Sequence, residues 1–243
     1  MTYNVKALSV DAEAAAQVIR DADPDVLGIQ EPPRGPVGAR RLRRFATEVG
    51  MRPVVVGHGA RTTALLVADR RADTVEAAAG VRLPVLGRRQ LIAPPIPRGY
   101  ARATVAGVPV VVVHLSLDPA ERARHVIRIL ADVKTRLDAG RQCVVVGDLN
   151  ERPDGPAWAR FGVHLRDAAT DRQPTFNALR PRQRIDAVLV SDGLRVVESQ
   201  VPDGQAAERG SDHRPVVVDL ALQHCRPDAA GWSGERTGRH PPP

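Results

Sequence analysis

Short β-branched apolar runs alternate with stretches of helical periodicity along this chain, and the runs stop at Gly, Pro or Asp. Thr2–Val5 predicts a first strand, and Asp25–Gln30 predicts a second that stops at Glu31. Between them Asp11 stands where an N-cap belongs and predicts a helix through Arg20, followed by a turn at Asp23-Pro24. A second helix is predicted over about residues 38–49. Strands follow at Arg52–Gly57, Thr62–Ala68 and Thr74–Ala79, and Tyr100–Ala106 and Val108–Leu115 flank Gly107 as a hairpin. Asp118-Pro119 opens the longest helix, which ends near Ala139-Gly140. Arg141–Gly147, Arg184–Ser191, Leu194–Ser199 and Pro215–Leu222 complete the predicted strands.

Runs such as Val110–Val113 and Val144–Val146 suit strands covered on both faces. Helices and hairpins mixed in this order predict an α/β architecture, two packed sheets with helices outside. At 243 residues the chain is long enough for one sizeable core, and residues 1–222 read as one domain. From Gln223 on, Gly, Pro and Arg dominate, and the expectation there is a disordered tail ending in Pro241-Pro242-Pro243.

Charge changes this picture little. The net charge is +7 and the pI about 10.5, yet lysine occurs only at Lys6 and Lys134, so the other 33 of 35 basic residues are arginine. A bias of that kind follows from coding composition as readily as from a ligand. The densest run, Arg40-Arg41-Leu42-Arg43-Arg44, reads as the solvated side of a helix. Aromatics are 3% of the chain, which leaves few platforms for stacking bases. Nucleic acid stays open as a partner without being favoured, and no protein partner is readable. No apolar run reaches bilayer length, and Met1-Thr2-Tyr3-Asn4-Val5 has no basic stretch or apolar core, so the expected location is cytoplasmic. Cys143 opens a valine run and reads as a buried thiol.

Candidate chemistry gathers at predicted strand ends. Glu31 fits a rim carboxylate that ligates a metal, or a solvated turn residue. Asp148 and Asn150 flank Leu149, so on an extended backbone they face one side. The acid can then take a proton from water and the amide can donate to a phosphate oxygen. An Asx turn ending the strand suits the same residues. Asp212 and His213 are adjacent, and in a turn the first suits a metal and the second a proton or a phosphate. His114 ends a valine run and fits a satisfied core histidine as well as a catalytic one. Asp186 interrupts an apolar run, and a buried carboxylate there needs a partner that an imidazole would supply. Asn4 is polar where an apolar residue would pack better, and Lys6 would share its side on an extended strand.

Taken in order, Thr2-Tyr3-Asn4-Val5, Ile29-Gln30-Glu31, Val113-His114-Leu115, Gly147-Asp148-Leu149-Asn150, Arg184-Ile185-Asp186 and Ser211-Asp212-His213-Arg214-Pro215 resemble the endonuclease/exonuclease/phosphatase family, which has the DNase I-like fold. Each stretch is weak alone, and six in order are a strong joint signal. The resemblance implies a four-layer α/β/β/α sandwich with the site at one edge of two packed mixed sheets. It also implies a magnesium-dependent phosphoesterase, with manganese as a substitute, that cuts a phosphodiester or phosphomonoester by in-line attack of water. In that scheme Glu31 is the main metal ligand, Asp212 the second acid at the metal, and Asn4 the amide that steadies the metal and phosphate. Asp148 activates or orients the water, and Asn150 is the phosphate-binding amide. Asp186 orients His213, and His213 contacts the scissile phosphate. His114 is the second imidazole, found in the branch with DNase I, the sphingomyelinases and several phosphatases.

Two departures stand out. Lys6 occupies the place where abasic-site endonucleases of the family carry an Asp, which with His114 argues against the DNA-repair branch. Thr63 stands where the family's Gly-Asn-Ala strand has Asn, so a substrate contact is altered there. A nuclease of the same family is the first alternative, and a non-catalytic module that kept the fold is the second. Specificity is expected on the loops Gly57–Arg61, Gly87–Gly99 and Asp154–Thr175, with Arg88 and Arg89 either holding anionic groups or solvated.

Overall fold

Two mixed sheets face each other, and helices cover their outer sides. The computed structural model describes residues 1–85, 96–169 and 172–222. The expected disordered tail at 223–243, and Arg88 and Arg89, lie outside the described residues. The first sheet has the order β1 (Thr2–Asn4), β2 (Val26–Gln30), β4 (Thr63–Ala68), β3 (Met51–Val55), with β1 and β2 parallel and the other pairs antiparallel. The second has the order β5 (Val75–Arg82), β6 (Gly99–Val105), β7 (Val108–His114), β8 (Val144–Asp148), β10 (Asp186–Val190), β9 (Arg166–Asp167). Only β7 and β8 are parallel in this second sheet. A hairpin of β11 (Leu194–Gln200) and β12 (Val217–Leu222) joins the outer side of β1 through an antiparallel bridge between Thr2 and Val216.

Helices α1 (Ala12–Ala22) and α2 (Gly38–Glu48) cover the first sheet, and α3 (Pro119–Asp138) and α4 (Pro156–Phe161) cover the second. The Asp11 side chain caps α1 by accepting from the Ala14 N–H. Asp118 caps α3 in the same way, followed by Pro119 in the first turn. Three apolar layers result. Leu27, Ile29, Ala64 and Leu66 pack under α1 and α2 with Ile19, Leu42 and Phe45. Leu65, Val67, Val110, Val112, Val144, Val146 and Val188 fill the space between the sheets. Val111, Val113, Val145 and Leu189 meet Val126, Ile129, Trp158 and Phe161. Alternate residues of one strand thus serve opposite layers, as the pleat dictates, and every central position must be apolar. The sheets approach closely at Gly28, where a Cβ would lie 2.5 Å from Val146 Cγ2.

The predicted strands and the long helices match this arrangement to within a few residues. Helices α4 and α5 (Gln205–Gly210) and the two-residue strand β9 carry too few residues for a periodic signal. The strand reading that put Lys6 beside Asn4 is corrected. β1 stops at Asn4, and Lys6–Leu8 form a 3₁₀ turn with left-handed φ values of 43, 56 and 54°. Lys6 therefore points away from Asn4, toward Asp212.

Candidate active site

The parallel and antiparallel pairings bring three side chains into line. His114 ends β7 opposite Asp148 at the end of β8, and Asp148 is opposite Asp186 at the start of β10. Asn4 ends β1 in the facing sheet, and Glu31 follows β2 in a left-handed conformation at φ 51°. A non-glycine residue held there costs about a kcal/mol or more, so its side chain is directed by the surrounding structure. Gly147 precedes Asp148 because a Cβ there would collide with the Val113 carbonyl.

His213 lies at the centre. Its Nδ1 is 2.9 Å from Asp186 Oδ2, and its Nε2 is 3.9 Å from Asp148 Oδ2 and 3.4 Å from Asn4 Nδ2. Burial alone would lower its pKa, but the carboxylates of Asp186, Asp148 and Asp212 together raise it to about 9. The ring is therefore an imidazolium at neutral pH, with Nδ1–H donated to Asp186. Phe176 packs on it with ring centroids 4.9 Å apart. Burial also raises Asp148, with Asp186 adding to the effect, to about 7. His213, the Asn150 N–H and Asn4 oppose that rise. Asn4 Nδ2 donates to Asp148 Oδ2 at 3.1 Å, and the Lys6 N–H donates to Asn4 Oδ1, which fixes the amide orientation. His114 is 2% exposed, with Nε2 at 3.6 Å from Asp148 Oδ2 and 3.9 Å from Glu31 Oε1. Burial, then Arg98 and His213, push its pKa well below the usual value, so it is neutral. One imidazolium, one neutral imidazole and one carboxylate titrating near neutrality thus share a single cleft.

Asn150 corrects the extended-backbone reading. Its φ is 49°, and its backbone N–H donates to Asp148 Oδ1 at 2.8 Å, so the Asx turn forms. One Nδ2 hydrogen goes to the Leu115 carbonyl at 2.9 Å, and the second stays available to a substrate oxygen. The next residue, Glu151, anchors this turn. It pairs with Arg122 of α3 at 3.0 Å, its Oε2 accepts from the Ala157 N–H, and its carbonyl accepts from Trp158 Nε1.

Oxygen donors for a cation come from two groups. Asp148, Asp186 and His213 offer ligand atoms within 4.8 Å of one another. His213 Nδ1, however, is committed to Asp186, and a protonated imidazole has no lone pair to give. Glu31 is the better donor, since among the described residues its half-exposed carboxylate pairs with no Lys or Arg and only approaches the neutral His114, at 3.9 Å. Asp212 pairs with Lys6 Nζ at 2.7 Å, with Ser211 Oγ beside it at 3.4 Å. Carboxylate and amide oxygens such as those of Glu31, Asp212 and Asn4 are the hard donors that magnesium and manganese take.

Three further contributors support the site, and of these only Ser211, in the last of the six motifs, stands out in the sequence. Ser211 Oγ donates to the Asn4 carbonyl at 2.6 Å and ties the Asp212-His213 turn to β1. Thr175 Oγ1 accepts from the Ile185 and Asp186 N–H groups at 3.3 and 3.4 Å. Arg98 is 8% exposed, and burial depresses its pKa against the attraction of Asp148 and Glu31. Thr63, at the altered family position, spends its hydroxyl on the Ala60 carbonyl.

Comparison with solved structures agrees with the architecture. An endonuclease/exonuclease/phosphatase from Bacteroides vulgatus superposes with TM-score 0.71 at 18% identity, covering 91% of this chain and 97% of that one. The mannosyl-6-phosphatase Bt3783 of Bacteroides thetaiotaomicron gives TM-score 0.70 at 18% identity, covering 91% and 98%. An endonuclease/exonuclease/phosphatase from Beutenbergia cavernae gives TM-score 0.66 at 24% identity, covering 91% and 70%. At these identities the likeness is one of fold. No curated protein matches the chain. The sequence model of the endonuclease/exonuclease/phosphatase family matches residues 1–213, nearly all of the described sandwich, and this chain belongs to that family.

Proposed function

We propose that this chain is a divalent-metal-dependent phosphoesterase that opens a P–O bond by in-line attack of water. The observation that carries the reading is the Asp148–His213–Asp186 line, with a carboxylate pushed up to about 7 beside an imidazolium pushed up to about 9. Asp148 takes the proton of the attacking water, with Asn4 and the Asn150 N–H holding it in place. His213, held by Asp186, faces the phosphate with Nε2–H and offsets charge growing on its oxygens. His114, neutral and buried, gives or accepts one hydrogen bond beside Asp148. The second Nδ2 hydrogen of Asn150 orients a phosphate oxygen. Glu31, Asp212 and Asn4 would hold magnesium or manganese, which supplies Lewis-acid polarisation of the phosphoryl group.

Lys6 reduces the negative charge around Asp212, which fits a single cation. Among the described residues no helix is long and apolar enough to cross a membrane. The nuclease alternative rests on net charge, and a steep loss of binding with salt would favour it. The deciding experiment is a hydrolysis panel of plasmid DNA, RNA, a phosphomonoester, an inositol phosphate and a choline phospholipid, with magnesium and with chelator. The expected outcome is metal-dependent hydrolysis that Asp148→Ala or His213→Ala lowers by ~10²–10⁴-fold. Hydrolysis untouched by either substitution, or by the chelator, refutes the proposal.

A further inference from the structure

A second cavity, of about 250 Å³, opens beside the candidate site and is lined by Pro32, Pro33, Val56, Pro97, His58 and two cationic side chains, Arg34 and Arg61. Two chain segments connect it to the chemistry, since Pro32 follows Glu31 and Pro97 precedes Arg98. Its cations have no carboxylate of their own. Among the described residues Arg34, Arg61 and Arg98 form no ion pair, whereas Arg70, Arg102, Arg122 and Arg184 all do. Arg61 Nε and Arg98 Nη1 are buried without any partner. A buried guanidinium nitrogen without an acceptor is costly, and Arg61 brings one to the wall of this pocket, beside the exposed Arg34, ready for an anion.

The loop that carries Arg61 is held rigidly. A Cβ at Gly99 would strike the Gly59 carbonyl, and one at Gly80 would lie 2.6 Å from the Ala60 N. The turn at residues 57–61 is therefore pressed onto the backbone of β5 and β6, next to Arg98. Arg61 itself is left-handed at φ 57°, and His58 is at φ 38°.

We propose that this pocket is a second anion site, and that the substrate is a small phosphate ester carrying a second phosphoryl group held by Arg34 and Arg61. Planar guanidinium groups match the oxygens of a phosphoryl group in pairs. The volume suits one phosphorylated ring rather than a strand of nucleic acid. The inference rests on the proposed phosphoesterase activity for its first phosphate only.

The test separates the two. Fructose 1,6-bisphosphate, fructose 6-phosphate and a 5′-phosphorylated dinucleotide are titrated calorimetrically into the metal-free protein. Hydrolysis of the same three compounds is then followed with magnesium. The bisphosphate should bind at least ~10-fold tighter than the monophosphate, as one charge-assisted hydrogen bond to the second group requires. Arg34→Ala and Arg61→Ala should each erode that ratio, the double variant should abolish it, and Arg61→Lys should restore part of it. Arg34 is exposed, so its variant keeps the test open if Arg61→Ala folds poorly. Equal binding of the two sugars, or a ratio unmoved by either substitution, overturns the proposal. Tighter binding of the dinucleotide than of the bisphosphate overturns the small-molecule assignment. A clear binding ratio with no hydrolysis of any ester keeps the anion site and defeats the phosphoesterase reading.

Discussion

Asp186→Asn isolates the contact that most strongly shapes the candidate site. The amide is nearly isosteric, so the packing of β10 survives, but the charge 2.9 Å from His213 Nδ1 is gone. Asp186 is the largest of the influences that raise His213 to about 9 against its burial, and without it the ring falls back toward the ordinary imidazole value of 6.5 or below. A fall of about 2.5 units corresponds to about 3 kcal/mol at 1.36 kcal/mol per unit, and the ring is 7% exposed, so little of this is screened. The same size follows for a hydrogen bond to a charged group, about 1.5–3 kcal/mol. The sign is fixed by linkage. A pKa raised on folding contributes stability that is whole below 6.5 and lost as pH rises to about 9. The wild type should therefore lose thermal stability between those values, and Asp186→Asn should start lower and show a flatter profile. In kcat/KM the alkaline limb near 9 should move to lower pH, and the acidic limb set by Asp148 should move down as well, because the Asp186 charge that helps to raise it is gone. Proton NMR of the His213 ring and a pH series of melting temperatures read these effects directly. An alkaline limb that stays near 9 in the variant would refute the assignment of Asp186 to His213, whatever the loss in rate.

Other substitutions probe other parts. Asp148→Asn should abolish turnover yet stabilise the fold. A carboxylate raised from 3.8 to about 7 costs stability that grows as pH rises through that window, by no more than about 4 kcal/mol, and melting temperatures of the pair should diverge from pH 4 to 7. Lys6→Ala removes the ammonium from Asp212, so the magnesium concentration for half-maximal activity should fall several-fold; a rise would show that Lys6 helps rather than competes. Glu151→Ala leaves the Arg122 guanidinium buried and unpaired beneath the Asn150 turn, and chemical denaturation should report a loss of about 3–5 kcal/mol.

What was legible in the sequence follows from the geometry of sheets. The ends of adjacent strands share one rim, so polar residues that close apolar runs, such as Glu31, His114 and Asp148, come together once the order of strands is set. That buried Asp186 needs an imidazole partner was also legible, because a carboxylate inside an apolar run demands a donor, and the family resemblance pointed to His213 as that partner. Side-chain direction was not legible. Asp148 and Asn150 have strand spacing, but a two-residue Asx bond outcompetes extension and turns the Asn150 amide onto Leu115. Lys6 leaves β1 through a left-handed turn that nothing in Lys-Ala-Leu announces, since such φ values are expected of glycine. Arg98 and Arg61 were hidden for a different reason. Arginine is so abundant here that no single one stands out, and what separates these two is a buried nitrogen without a partner on a side chain that forms no ion pair, whereas the buried Arg122 and Arg184 each meet a carboxylate. The rim therefore gathers non-glycine residues at positive φ, Lys6, Glu31, His58, Arg61 and Asn150 among them, around a core whose strands are regular. Regular strands supply the stability that holds those conformations, and the strained edge supplies the chemistry.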